Sequence, residues 1–172
     1  MGGYAQSSST DVRLLAKSFT EWISRAAVAS NGRAEGPVFS VNGASATLDS
    51  ARASRLIQIG LRAGSVGELV PLFGLKKKED LSHALNANGT SLWRWARDDK
   101  PLPGATVEQI LRAMQLQLFA AEVFGGVDAA RAWLHKPHAS LHGVAPSDYA
   151  DNEFGAQKVR GILAGLKYGG VA

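Results

Sequence analysis

The stretch from Thr106 to Val123 constrains this chain most. Val107, Ile110, Leu111, Met114, Leu118 and Ala121 recur at three- and four-residue steps and make one helical face. Leu116, Phe119 and Val123 widen that face beyond a single stripe. A surface helix buries one stripe, whereas an apolar surface this broad is covered on two sides. The segment therefore predicts a long buried helix, a spine joining two halves of the chain. Pro101, Pro103 and Gly104 break the chain before it, and Gly125 and Gly126 end it.

Shorter helical segments surround the spine. Val12, Leu15, Phe19, Trp22 and Ile23 predict one helix, capped by Thr10 or Asp11, with residues Met1 to Thr10 as a polar tail before it. Asn31 to Asp49, rich in Gly, Ser and Asn, reads as a loop or extended linker with apolar patches at Val38–Phe39 and Val41. Leu56, Ile57, Ile59 and Leu61 form a stripe ended by Gly64, and Val66, Leu69, Val70, Leu72 and Phe73 form another ended by Gly74. Asp128 to Leu134 predicts a short helix stopped by Pro137. A last helix starts near Asn152, a good cap with Glu153 in the first turn, and carries Val159, Ile162, Leu163 and Leu166 as a core stripe. No sustained alternation of period two stands out, so the expected class is all-α.

Bulk properties exclude several classes of function. The 172 residues, 45% of them apolar, suffice for one medium domain or two small helical ones. The absence of cysteine excludes disulfides and thiolate metal sites and is compatible with a reducing cytoplasm. No apolar run approaches the roughly 20 residues of a membrane span, and the Gly- and Ser-rich start lacks the pattern of a signal peptide. A cytoplasmic protein is the expectation. A net charge of +4 permits contact with nucleic acid or an acidic partner and demands neither.

Lys78 to Arg97 has helix-turn-helix grammar. A short helix with Leu81, Ala84 and Leu85 inward is followed by Asn86-Ala87-Asn88, with Asn86 where a left-handed backbone is wanted and Asn88 placed to cap the next helix. Leu92 and Trp95 are expected inward, and Gly89, Thr90, Trp93, Arg94 and Arg97 outward. The candidate DNA-contacting residues are Thr90, Trp93, Arg94, Arg97 and Lys78, with Lys76-Lys77-Lys78 available to phosphates. The alternative is that the pair is scaffold, the lysines a solvated face and Trp93 a subunit contact.

The C-terminal segment reads Ala121-Glu-Val-Phe-Gly-Gly-Val-Asp-Ala-Ala-Arg-Ala-Trp133-Leu134, then Lys136-Pro137, Leu141, Gly143, Pro146, Asn152-Glu-Phe-Gly155, Val159, Leu163 and Tyr168-Gly169. It resembles the toxin-binding domain of the Xre/MbcA/ParS antitoxins. That family has a helix ending in Val-Phe-Gly, a short helix ending in Trp-Leu, a Pro…Leu…Gly…Pro loop, a helix starting near a Gly and a closing Tyr-Gly. Gly60-Leu61, Leu75, the helix-turn-helix and Leu102-Pro103 are similar to the Xre-like domain that precedes it, so the likeness covers about residues 55 to 172. Two departures stand out. Pro146-Ser147-Asp148-Tyr149-Ala150 replaces the family's Pro-Leu-Asp with apolar followers, and Asn152 replaces its Thr.

Residues 1–50 lie outside the resemblance and read as an N-terminal extension of one helix plus a linker; the resemblance implies an Xre-like domain over 51–115 and a toxin-binding domain over 116–172. It implies a type II antitoxin, no enzyme and no cofactor, that occludes the active site of an ADP-ribosyltransferase-like, NAD-consuming toxin of the RES-domain or ParT type. A homodimer within a hetero-oligomer, and operator binding that represses its own operon, are further implications. The alternative is a helix-turn-helix transcriptional regulator without a toxin partner.

The candidate toxin-binding residues are Trp133, Arg160, Leu163, Lys167, Tyr168, Gly169 and Gly170. Arg160, Lys167, Tyr168 and the tail from Gly169 to Ala172 are the polar, terminal members, since a Gly-Gly tail enters a cleft without side-chain clash; the plainer reading is a frayed end. Trp133 and Phe124 also read as core. His135, His138 and His142 lie at three- and four-residue spacing, but no cysteine or further ligand completes a four-ligand site, so no metal is assigned. Neither a nucleophile elbow nor a phosphate-cradling Gly loop is present.

Overall fold

The computed structural model describes residues 3–28, 37–43 and 45–169. The expected spine is helix Gly104–Phe124. Its buried side chains, among them Val107, Ile110, Leu111, Met114, Leu116 and Leu118, leave it on several sides. Fully burying one such side chain stabilises by about 1.5–3 kcal/mol, and that gain holds the elements that pack on this helix.

In chain order the elements are α1 (Gly3–Ala26), β1 (Phe39–Asn42), β2 (Ser45–Leu48), α2 (Ser50–Ile59), α3 (Leu69–Leu72), α4 (Lys78–Ala84), α5 (Gly89–Arg97), α6 (the spine), α7 (Val127–Leu134), α8 (Pro146–Tyr149) and α9 (Glu153–Tyr168). Short 3₁₀ turns occupy Ala63–Glu68 and Ala139–Leu141. α1, α2, α7, α9 and β2 all pack on α6. Among the described residues no helix is long and apolar enough to cross a membrane.

Three expectations need correction. The polar tail is helical: α1 begins at Gly3, a full two turns before the apolar stripe. Once Val12 to Ile23 have nucleated the helix, propagation adds one bond per residue, and no proline stands between Gly3 and Thr10 to stop it. The linker holds an antiparallel hairpin, pairing Phe39 with Leu48 and Val41 with Ala46, so the fold is mostly helical rather than all-α. Phe39 is buried and Val41 half-buried, while Ser40 and Asn42 face outward, which is alternation of period two. Four-residue strands inside a Gly/Asn-rich stretch are too short to show it. The stripe from Leu56 ends at Gly60, not Gly64: Gly60 has φ +83° and closes α2, and Leu61 continues as buried extended chain bridged to Ala27.

α4 and α5 form where the helix-turn-helix pattern places them. Asn86 takes φ +45° in the connecting turn, and the Asn88 side chain accepts the Ser91 N–H at 3.0 Å to cap α5. The buried side chains of α1 and the hairpin join those of α2 to α9 in one contiguous cluster. Phe19 packs between Phe39 (6.2 Å between ring centroids) and Phe73 (5.8 Å). Trp22 is 0% exposed and donates its indole N–H to the Ser65 carbonyl at 2.9 Å.

Trp22→Ala therefore removes a core aromatic and leaves that carbonyl without its donor. We expect a loss of about 3–5 kcal/mol, which for a chain of this size lowers Tm by roughly 6–20 °C in a thermal melt. An unchanged Tm would show that α1 lies outside the cooperative core.

Candidate functional site

The C-terminal third is assembled on the far end of α6. α7 turns back from Gly125, which takes φ +71° and caps α6. Trp133 on α7 is half-buried, its ring 5.4 Å from that of Phe124 and 5.7 Å from His138. Arg131 on the same helix reaches across to the α3 turn and donates to the carbonyls of Leu72 (2.6 Å) and Pro71 (3.3 Å). Burial lowers the Arg131 pKa, and the nearby Asp128 carboxylate partly restores it. Gly74 lies under this arm: a Cβ there would sit 2.4 Å from the Arg131 chain.

α8 and α9 meet at a tight corner. The Asn152 side chain accepts the Gly155 N–H at 3.0 Å and starts α9. A Cβ at Gly155 would lie 1.9 Å from the Tyr149 carbonyl oxygen, so the helix approaches α8 as closely as its backbone allows. Ala156, Val159, Ile162 and Leu163 face inward. Nearly buried Arg112 of α6 holds the start of α9, donating to the Asp151 carbonyl (3.3 Å) and facing Glu153 (3.5 Å), while Glu108 (2.5 Å) and Gln109 (2.6 Å) complete its partners.

The predicted residues distribute unevenly. Arg160 is half-buried and bonded to Glu153. Leu163 is 0% exposed, so it belongs to the interior and cannot meet a partner directly. Leu166, expected on the core stripe, is 47% exposed, because the last turn of α9 extends past its neighbours and leaves Leu166 to Gly169 at the surface. Lys167 is tied down: its Nζ lies 2.5 Å from the Glu122 carboxylate of α6, which also accepts the Ser45 hydroxyl of β2 at 3.2 Å. The Glu122 hydrogen bond, followed by that of Tyr168, raises the Lys167 pKa. The same amine sits 5.0 Å from the Tyr168 ring and 5.9 Å from that of Phe119. Tyr168 itself is 76% exposed, and Gly169, at φ +73°, closes the helix on the Gly165 carbonyl. Gly170, Val171 and Ala172 lie outside the described residues.

The most exposed large apolar side chain among the described residues is Phe154, at 86%. It was missed because it stands in the first turn of α9, off the Val159/Ile162/Leu163 stripe, where a lone aromatic gives no periodic signal. Val144, 40% exposed, lines an open groove with Tyr149 and Phe154.

Residues 119–169 match the family model of the antitoxin Xre/MbcA/ParS C-terminal toxin-binding domain. The match covers 51 of the 172 residues. The toxin-binding domain thus begins within α6 and closes at Gly169, and it takes in α7, α8 and the whole of α9. Such a domain implies a cognate toxin as partner. No curated protein matches the chain.

Thr90, Trp93, Arg94 and Arg97 recur at three- and four-residue steps on one face of α5. Thr90, Arg94 and Arg97 are exposed, and the Arg97 Nε donates to Asp98 at 3.0 Å. Trp93, expected outward, is half-buried, with the Lys78 amine 5.2 Å from its ring; Trp95, expected inward, is half-buried too. The three histidines point to separate local tasks: His135 faces the Ser147 hydroxyl (3.3 Å), His138 accepts the Ser140 N–H (3.3 Å), and His142 occupies a left-handed turn at φ +57°.

Glu122→Gln keeps the shape of the Lys167 tether and removes its charge. The raised Lys167 pKa makes the tether's contribution complete below the ordinary value of 10.5 and lost only as pH rises through the higher folded value, so it is fully present at neutral pH. We expect the substitution to cost about 1 kcal/mol and to speed amide hydrogen exchange in the last turn of α9 while leaving the first turn unchanged. Uniform exchange in both variants would remove the tether from the account.

Proposed function

We propose that this chain is the antitoxin of a type II toxin–antitoxin pair and that it holds a NAD-consuming toxin of the RES-domain or ParT type inactive by covering its active site. The observation that carries this reading is the family match over residues 119–169, which ends at the exposed Tyr168 and Gly169. The role is binding, not turnover. Trp133, Arg160, Lys167, Tyr168, Gly169 and Gly170 are its proposed contact residues, with Leu163 supporting them from inside. Tyr168 offers a broad apolar ring with a polar tip, the kind of side chain that tends to dominate interface energy. Lys167, held under it by Glu122, keeps a positive charge beside the ring.

Expression of the product of the adjacent open reading frame should arrest growth and deplete cellular NAD, and co-expression of this chain should restore both. With Tyr168→Ala, or with the chain cut after Lys167, we expect rescue to weaken by roughly thirtyfold in affinity, equivalent to about 2 kcal/mol. Full rescue by both variants would take the tail out of the mechanism.

A second role has its own observation. The α5 face with Thr90, Trp93, Arg94 and Arg97, joined by Lys78 of α4, supports operator DNA contact by an Xre-like helix-turn-helix, with a homodimer reading two half-sites and repressing the operon. Without a toxin partner the same face would make the chain a plain transcriptional regulator. Arg94→Ala with Arg97→Ala should weaken binding to the upstream promoter fragment about tenfold or more at low salt and flatten the salt dependence by about two charges. Identical mobility shifts for wild type and double variant would exclude α5 as the reading helix.

A further inference from the structure

We propose that the toxin docks across the flank of α9, with one of its helices seated between Phe154 and Tyr168 over Gly161 and Gly165. This rests on the toxin-binding reading and names the surface that reading uses. Phe154, Lys158, Gly161, Gly165 and Tyr168 recur at steps of four, three, four and three residues, so they lie in one line along α9. The two ends of that line are the most exposed large apolar side chains among the described residues, at 86% and 76%. Between them the surface drops to backbone. A Cβ at Gly161 would meet no heavy atom within 4 Å, and Gly165 is half-buried.

Residues 154 to 168 span roughly 21 Å at the helical rise, and one α-helix with its side chains is about 10–12 Å across. The aromatic pair thus frames a gap wide enough for one crossing helix, and the glycines let its backbone come close. Lys158 stands exposed inside the frame with no carboxylate partner among the described residues, so the partner helix should present an Asp or Glu there. The whole line falls inside the segment that matches a toxin-binding domain, which is what selects a toxin over other occupants. Arg160 and Lys167, by contrast, already have their carboxylates in Glu153 and Glu122.

The test uses the full chain and the tagged product of the adjacent open reading frame. Gly161→Leu fills the gap, and because leucine is the better helix former the free chain should melt no lower than wild type. Phe154→Ala removes one end of the frame at a site where nothing in the fold depends on it. Each variant should bind the toxin at least tenfold more weakly by calorimetry, with the melting temperature of the free chain unchanged or raised. Binding of both variants within twofold of wild type overturns the docking surface and leaves the antitoxin reading standing. Retained toxin binding, with Gly161→Leu turning a dimer of the free chain into a monomer, assigns the surface to a second copy and also overturns the proposal. Failure of the wild-type chain itself to retain that product overturns the antitoxin reading and the docking surface together.

Discussion

Burial of α6 on more than one side is the constraint on which the other elements depend. α1, α2, α7, α9 and β2 all pack against it, and most of its residues are apolar. Three of its polar residues are bonded into neighbouring elements: Arg112 to the start of α9, Gln117 to the Leu72 carbonyl, and Glu122 to both Ser45 and Lys167. A buried polar group left unpaired costs about 1–3 kcal/mol, so these contacts set where the surrounding helices may lie. The helix is both the core and the ruler against which α9 is placed.

The two faces proposed for binding are held differently. One is the outer side of α5, positioned by a capped turn; the other is the flank and end of α9, positioned by Arg112, the Asn152 cap and the Glu122–Lys167 pair. The hairpin takes part as well, since Ser45 shares the carboxylate that holds the end of α9. β2 is thereby fastened to the segment that matches the toxin-binding domain as well as to the core.

Much of this was readable from residues alone, for physical reasons that differ by element. α6, α9 and the α4–α5 pair announce themselves because their stripes run for two turns or more and their ends carry capping Asn or helix-stopping Gly. The hairpin does not, because Phe39-Ser40-Val41-Asn42 offers one and a half periods of alternation in a Gly/Ser-rich stretch. The early start of α1 is hidden because Ser-rich sequence has no preference strong enough to declare a helix; tertiary packing downstream supplies it. Among the candidate contact residues, Tyr168 was legible as an exposed terminal aromatic. Leu163 and Leu166 share a sequence stripe, and only the overhang of the last turn separates the buried one from the exposed one. Phe154 is invisible to periodicity for the opposite reason: it is the residue that does not belong to the pattern.

The corner between α8 and α9 carries one more lesson. Because the Tyr149 oxygen occupies the space where any side chain at position 155 would begin, that position admits a single amino acid, while Phe154 beside it projects into open solvent and is under no such restriction. Adjacent residues therefore face opposite regimes of variation. Substitutions can accumulate at the outward neighbour without disturbing the packed corner beside it, so the surface of this segment can change while its architecture stays the same.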